Sequence, residues 1–399
     1  MTTHLMPTCA RQPVAFARGA GVWLWDTEGR RYLDGLSGTG VNGLGHAHPR
    51  FVRALTEQAA RLVHASNLYR IPEQEKLADV LCALAGMDNA FFCNSGCEAN
   101  EAAIKLARLY GHQRGVEQPI VVVMEKAFHG RTIATLSATG TRKVQAGFEP
   151  LLSGFLRVPY DDLRTLEQVA ARNKNIVAIL VEPIQGEGGI RVPDEGYLPQ
   201  LRAACDRHGW LLMLDEVQTG IGRTGKWFAH QLVNIKPDVM TLAKGLGNGV
   251  PIGACLAVGP AARVFRPGSH GSTFGGNPLA CVAAHATLNI IADEQLTDNA
   301  TRIGDLIRGG LSSRLGSYPQ VKEIRGRGLM LGIDLDRPCR ALVDATLERG
   351  LLIDVTADSV LRLLPPLVMQ PAEAWQLVNA VCDLVEAFIS EPASVAANA

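Results

Sequence analysis

The feature that most constrains this chain is a set of short runs that are apolar on both faces and separated by helical stretches. The runs span residues 90–93, 120–125, 176–182, 211–215, 239–242 and 254–258. Helical patterns fall between or after them at 97–110, 162–172, 197–208 and 278–292. A strand with one wet face alternates polar and apolar residues, whereas a strand apolar throughout must be covered on both sides. The pattern therefore predicts an α/β fold, with a mostly parallel central sheet covered by helices. In such sheets ligands bind beyond the carboxyl ends of the strands.

Two of those ends carry chemistry. The run 239–242 leads to Lys244, which opens the glycine-rich turn Gly245-Leu246-Gly247-Asn248-Gly249. Twenty-nine residues upstream, Leu211-Leu212-Met213-Leu214 ends in Asp215-Glu216. Burial lowers a lysine's pKa and makes the neutral, nucleophilic amine accessible, so Lys244 is a candidate to form a Schiff base with a carbonyl. A carboxylate on a neighbouring strand suits the pyridinium nitrogen of pyridoxal phosphate, which needs an acidic partner to act as an electron sink. The two together point to that cofactor more strongly than either alone.

Three further motifs each leave two readings open. Ser95-Gly96-Cys97 follows a short strand and opens a helix. It is either a phosphate cradle of free N–H groups at the dipole's positive end or a plainly capped helix start. Phe128-His129-Gly130-Arg131-Thr132 offers an aromatic to stack on a planar ring and an arginine to grip a carboxylate, or else a packed phenylalanine beside a surface arginine. Gly271-Ser272-Thr273-Phe274-Gly275-Gly276-Asn277-Pro278 brings hydroxyls and amides to a phosphate, or is a turn with a cap. His46-x-His48 has no third metal ligand in evident reach, so no metal is expected. Gly245-x-Gly247-x-Gly249 lacks the register of a nicotinamide-binding turn.

Composition narrows the field. Lysine plus arginine and aspartate plus glutamate both number 39, which gives no support to a nucleic-acid or membrane-surface partner. Nine scattered cysteines without a C-x-x-C pair read as reduced thiols, and hence as a cytoplasmic protein. The first residues show no secretory signal, and no run of 18 apolar residues occurs. The alanine-rich tail after Ser390 reads as frayed.

The motifs stand in a recognisable order: Gly45-His46-Ala47-His48-Pro49, Asn94-Ser95-Gly96-Cys97-Glu98-Ala99, Phe128 to Thr132, Glu182-Pro183-Ile184-Gln185-Gly186-Glu187-Gly188-Gly189, Asp215-Glu216-Val217-Gln218-Thr219-Gly220, Lys244-Gly245, and Gly271 to Pro278. Along nearly its whole length the chain resembles the class III pyridoxal-phosphate aminotransferases of fold type I. Val41-Asn42, His64 to Tyr69 and Leu361-Arg362-Leu363-Leu364-Pro365-Pro366 make it most similar to the branch acting on N2-acetyl-L-ornithine with 2-oxoglutarate, which returns glutamate.

The resemblance implies roles. Lys244 carries pyridoxal 5'-phosphate and later moves the proton. Asp215 holds the pyridinium nitrogen, Gln218 reaches the phenolic oxygen and Phe128 stacks on the ring. Gly96 and Cys97 bind the phosphate, and Thr273 does so from the partner subunit of a homodimer. Arg131 and Ser272 contact substrate. Glu187 pairs with Arg362 and releases it for the α-carboxylate of glutamate. The resemblance also implies a large cofactor-binding domain at 56–290 and a smaller α/β domain from 1–55 and 291–399. In that smaller part a hairpin is predicted at 20–35, with strands within 321–336, 351–355 and 360–364 and helices near 339–350 and 371–389. Two departures stand out. Cys97 occupies a position where threonine or alanine is more familiar. Ser37 to Val41 lack the tyrosine of ornithine δ-aminotransferases.

Overall fold

The computed structural model describes residues 4–390; the tail after Ser390 lies outside them. The central sheet has seven strands: β1 (Asn89–Cys93), β2 (Ile120–Met124), β3 (Phe155–Val158), β4 (Ile176–Val181), β5 (Leu211–Asp215), β6 (Val239–Leu242) and β7 (Gly253–Ala257). Their order is β1-β7-β6-β5-β4-β2-β3. All neighbours from β6 to β3 pair parallel, and β7 runs antiparallel to both β1 and β6. The mostly parallel sheet is thus as predicted. Leu180, Val181, Leu212, Met213 and Leu214 are completely buried, because helices cover both faces. Each such side chain contributes roughly 1.5–3 kcal/mol relative to exposure.

The edge strand β3 lacks the doubly apolar signature for a physical reason. The exposed Arg157 interrupts its apolar run, and Phe155 and Leu156 are only half-buried. Periodicity alone therefore does not reveal it. Helices Pro49–Ala59 and Pro72–Ala85 begin with proline at their first position, where the missing N–H costs nothing. They and Leu296–Leu315 add to the helices expected from sequence. The predicted helices appear as Gly96–Gln113, Leu163–Arg172, Tyr197–His208 and Pro278–Asp293.

Two small sheets flank this core. The hairpin of Trp23–Asp26 and Arg31–Asp34 is preceded by the strand Phe16–Ala20. Its inner strand pairs parallel with Leu351–Leu352, joining the two ends of the chain. The second sheet is antiparallel: Val321–Arg327, Met330–Leu335, Val360–Leu363 and Asp354–Thr356. In its last pair Asp354 stands directly opposite Arg362. Helices Ala341–Glu348 and Pro371–Ser390 accompany these strands. Among the described residues no helix is long and apolar enough to cross a membrane.

Candidate active site

Strand alternation sends the adjacent acids of Asp215-Glu216 to different partners. Glu216 accepts hydrogen bonds from the Ala229 N–H (2.8 Å), the His230 N–H (2.9 Å) and the Thr219 hydroxyl (2.7 Å), and so ties down the segment that follows β5. Asp215 instead borders a cavity of about 400 Å³ at the carboxyl ends of the strands. The cavity is also lined by Lys244, Gly96, Cys97, Phe128, Arg131, Glu187 and Gln218.

Lys244 leaves β6 with φ at +42°, a left-handed conformation that a non-glycine residue adopts at a cost of order 1–3 kcal/mol. The turn aims its side chain into the cavity rather than along the strand. Burial depresses the amine's pKa; the Glu187 carboxylate opposes that, and the Arg362 cation reinforces it. A depressed amine is the state a nucleophilic lysine needs.

Asp215 is only 4% exposed and is held by three donors. His129 Nδ1 and Asn100 Nδ2 each lie 2.8 Å from Oδ2, and the Val217 N–H reaches Oδ1 at 3.1 Å. Beside them Glu182 accepts from the N–H groups of Phe128 (2.9 Å) and Gly186 (3.0 Å). Burial pushes its carboxyl up to about 7, with His129 pulling it down and Asp215 pushing it further up.

On the other side Arg362, 2% exposed, bonds Glu187 Oε1 through Nη1 at 2.5 Å and Asp354 Oδ2 through Nη2 at 2.7 Å. Burial lowers the guanidinium's pKa, but the two carboxylates outweigh that and hold it above its ordinary value. Glu187 is 37% exposed, far more than its partner. The thiol of Cys97 accepts from the N–H groups of Arg131 and Thr132, both at 3.3 Å, and so joins the helix start to the 128–132 loop. Ser95 caps that helix by accepting the Glu98 N–H at 3.2 Å, worth about 1 kcal/mol. The Arg131 guanidinium lies 5.7 Å from the centre of the Phe128 ring.

Within one chain, Ser272 and Thr273 do not line this cavity. They border a neighbouring one with Asn94, which is common to both. The Ser272 hydroxyl receives Asn94 Nδ2 at 3.2 Å, and Thr273 is exposed. His46 and His48 go to separate carboxylates, Asp34 at 2.8 Å and Glu294 at 3.2 Å. His129, Asn100, Thr241, Glu182 and Asp354 join the site only in the structure. His129 and Glu182 sit inside motifs that the sequence displays, whereas Asp354 carries no local signal, because only cross-strand register brings it to Arg362.

The cavity fits a flat, phosphorylated, aldehyde-bearing cofactor. Gln218 Oε1 is buried without a partner on its wall. A Cβ on Gly96 would lie 2.7 Å from Val217 Cγ1, so only glycine allows the helix start to sit this close to β5. Fold and site together define an α/β transferase of the lysine-and-carboxylate type. Residues 7–385 match the aminotransferase class-III family, and the chain belongs to it. The family depends on pyridoxal 5'-phosphate. The chain is 60% identical to the acetylornithine aminotransferase of Nitrosomonas europaea, over 97% of its own length and 98% of the relative's. It is 54% identical to acetylornithine aminotransferase 1 of Bordetella pertussis, over 98% and 100%. Among solved structures it resembles the ornithine aminotransferase of Toxoplasma gondii, with a TM-score of 0.94, 35% identity and coverage of 98% of this chain and 94% of that one. It also resembles the acetylornithine aminotransferase of Elizabethkingia anophelis, with a TM-score of 0.86, 36% identity and 96% of each chain covered.

Proposed function

We propose that this protein transfers the δ-amine of N2-acetyl-L-ornithine to 2-oxoglutarate, giving N-acetyl-L-glutamate 5-semialdehyde and L-glutamate, as a step of arginine biosynthesis. The observation that carries the reading is the buried Lys244 amine sharing one cavity with Asp215 and with a Glu187 that covers Arg362. When bound, pyridoxal phosphate supplies an electrophilic carbon for the amine and a ring that takes up electrons. Lys244 Nζ would hold it covalently and would carry a proton to and from the reacting carbon. Asp215 keeps a positive charge on the ring nitrogen. Gln218 would meet the phenolic oxygen, Phe128 would stack on the ring, and the N–H groups of Gly96 and Cys97 would receive the phosphate. Arg131 binds substrate, and Ser272, which lies outside its own chain's cavity, would do so from the partner subunit.

Glu187 solves a problem of two substrates in one site. Glutamate and 2-oxoglutarate bring an α-carboxylate to the reacting end, and Arg362 pairs with it. Acetylornithine brings none, which would leave the buried guanidinium with Asp354 alone, and a buried charge short of partners is costly. Glu187 then occupies the arginine. The family likeness to an ornithine aminotransferase favours free ornithine as a second donor. Against it, the stretch Ser37 to Val41 brings only small residues to the cavity: Val41 lines it and Gly40 lies beside Gln218. That leaves space for an acyl group. Assay of an amine-donor panel with 2-oxoglutarate tests the reading, and turnover of ornithine ahead of acetylornithine would reverse the assignment.

The same reading makes the protein a cytoplasmic homodimer, with 56–290 as the cofactor domain and 1–55 with 291–399 as the smaller one. The backbone pairing of Leu33 with Leu351 supports the latter grouping. An exposed apolar patch supports the dimer. Asn67 Nδ2 donates to the carbonyls of Ser272 and Gly275, both at 3.0 Å, which lays the 62–69 segment along the 272–275 loop. Leu68, Tyr69 and Phe274 there are 88%, 74% and 62% exposed. Such a patch marks an interaction surface. It would bring Thr273 to the phosphate in the partner subunit's cavity.

A further inference from the structure

We infer that Asn100 and Thr241 are positioning residues that orient the Asp215 carboxylate with one oxygen kept open to the cavity. This deepens the proposed function and rests on Asp215 as the partner of the cofactor's ring nitrogen. All three side chains are enclosed: Asn100 is 1% exposed, Thr241 0% and Asp215 4%. They come from three elements, the helix Gly96–Gln113, β6 and β5.

The direction of the Asn100 bonds is forced. The His129 carbonyl and the Asp215 carboxylate only accept, so the Asn100 amide must turn its NH2 end to them, at 2.9 and 2.8 Å. Its oxygen then points the other way, where the Thr241 hydroxyl donates to it at 2.7 Å. Oδ2 of Asp215 therefore faces two N–H donors, one from Asn100 and one from His129 Nδ1. A proton on Oδ2 would meet both of them. Oδ1 accepts only the Val217 N–H, and this leaves it the oxygen with a lone pair to offer. The Thr241 hydroxyl supports this arrangement by pairing the far end of the amide. Without it the amide oxygen is buried and unpaired, and rotation of the amide would set oxygen against oxygen at Asp215.

The test is fluorescence titration of the apoprotein with pyridoxal 5'-phosphate, alongside steady-state kinetics. Thr241→Val should raise the dissociation constant of the cofactor and lower kcat, each about 5–10-fold, as expected for one buried hydrogen bond. KM for both substrates should stay near the parent value, and Thr241→Ser should restore both parameters. On an Asp215→Asn background, Thr241→Val should have no further effect. If it acts there with its full factor, or if Thr241→Val changes neither parameter, the inference is overturned. Asn100→Asp covers the case in which Thr241→Val does not fold. It sets a second carboxylate against Asp215, so cofactor affinity should drop at neutral pH and recover as pH falls; a flat response overturns the inference. The titration needs no substrate, so it gives its answer even if acetylornithine proves not to be the donor.

Discussion

The Asp215 end of the cavity and the Arg362 end are held in opposite ways. Asp215 receives three donors, one each from the loop that follows β5, the helix Gly96–Gln113 and the 128–132 loop, and the Asn100 and His129 side chains are buried with it. Arg362 is equally buried, but one of its two carboxylate partners, Glu187, is more than a third exposed. The other, Asp354, is fixed opposite it by strand register. A charge enclosed by rigid donors keeps one state. A charge paired with a half-free side chain can exchange that partner for a ligand. The difference matches what the proposed reaction asks of each end: a constant cofactor charge at one, two alternating substrates at the other.

Substitutions test that contrast. Lys244→Ala removes the group common to both half-reactions. Turnover should fall by several orders of magnitude with cofactor still bound, since proton transfer alone is worth roughly 10²–10⁴-fold. Near-normal single-turnover rates would refute the assignment of Lys244. Asp215→Asn should slow both half-reactions alike, by about 10–1,000-fold, because an opposite charge shifts a neighbouring pKa by about 1–3 units. An effect on one half-reaction alone would break the idea of a constant end.

At the exchanging end the effects should split. Arg362→Ala should slow the glutamate and 2-oxoglutarate steps about 10–100-fold, the scale of a charged hydrogen bond of about 1.5–3 kcal/mol, and spare the acetylornithine step. Glu187→Ala should do the reverse, impairing acetylornithine while leaving or improving glutamate. Equal losses in both halves for both variants would show that Glu187 is no switch.

The smallest expected effect concerns pH. Glu182 has its carboxyl pushed up to about 7 by burial, against an ordinary value of 4.5 for an exposed glutamate. Between those values the folded protein holds a proton that the unfolded chain has released. This group's contribution to stability is therefore full below the lower value and declines as pH rises through the upper one. Glu182→Gln should flatten that part of the apoprotein's Tm–pH curve. A slope identical to the parent's would mean that the two backbone N–H bonds keep Glu182 ionised in spite of burial.

Much of this is legible in the chain. Doubly apolar runs mark six of the seven central strands, and the strand ends mark Asp215 and Lys244. The motifs supply Gly96, Cys97, Phe128, Arg131, Glu187 and Gln218, all of which line one cavity. The edge strand β3 is hidden because the exposed Arg157 breaks its short apolar run. Asn100 is hidden because, within a helix, an asparagine with a structural role reads no differently from any other polar residue.

The sequence by itself determined what is local and periodic: which runs must be enclosed, where they stop, and which reactive side chains stand at the stops. Those properties follow from solvation and from the two-residue period of a strand, which act along the chain. Tertiary structure decided the further partners: His129 and Asn100 on Asp215, Thr241 behind Asn100, and Asp354 on Arg362. Such pairings join residues up to 141 positions apart. They depend on which strands become neighbours and in what register, and no local pattern encodes that.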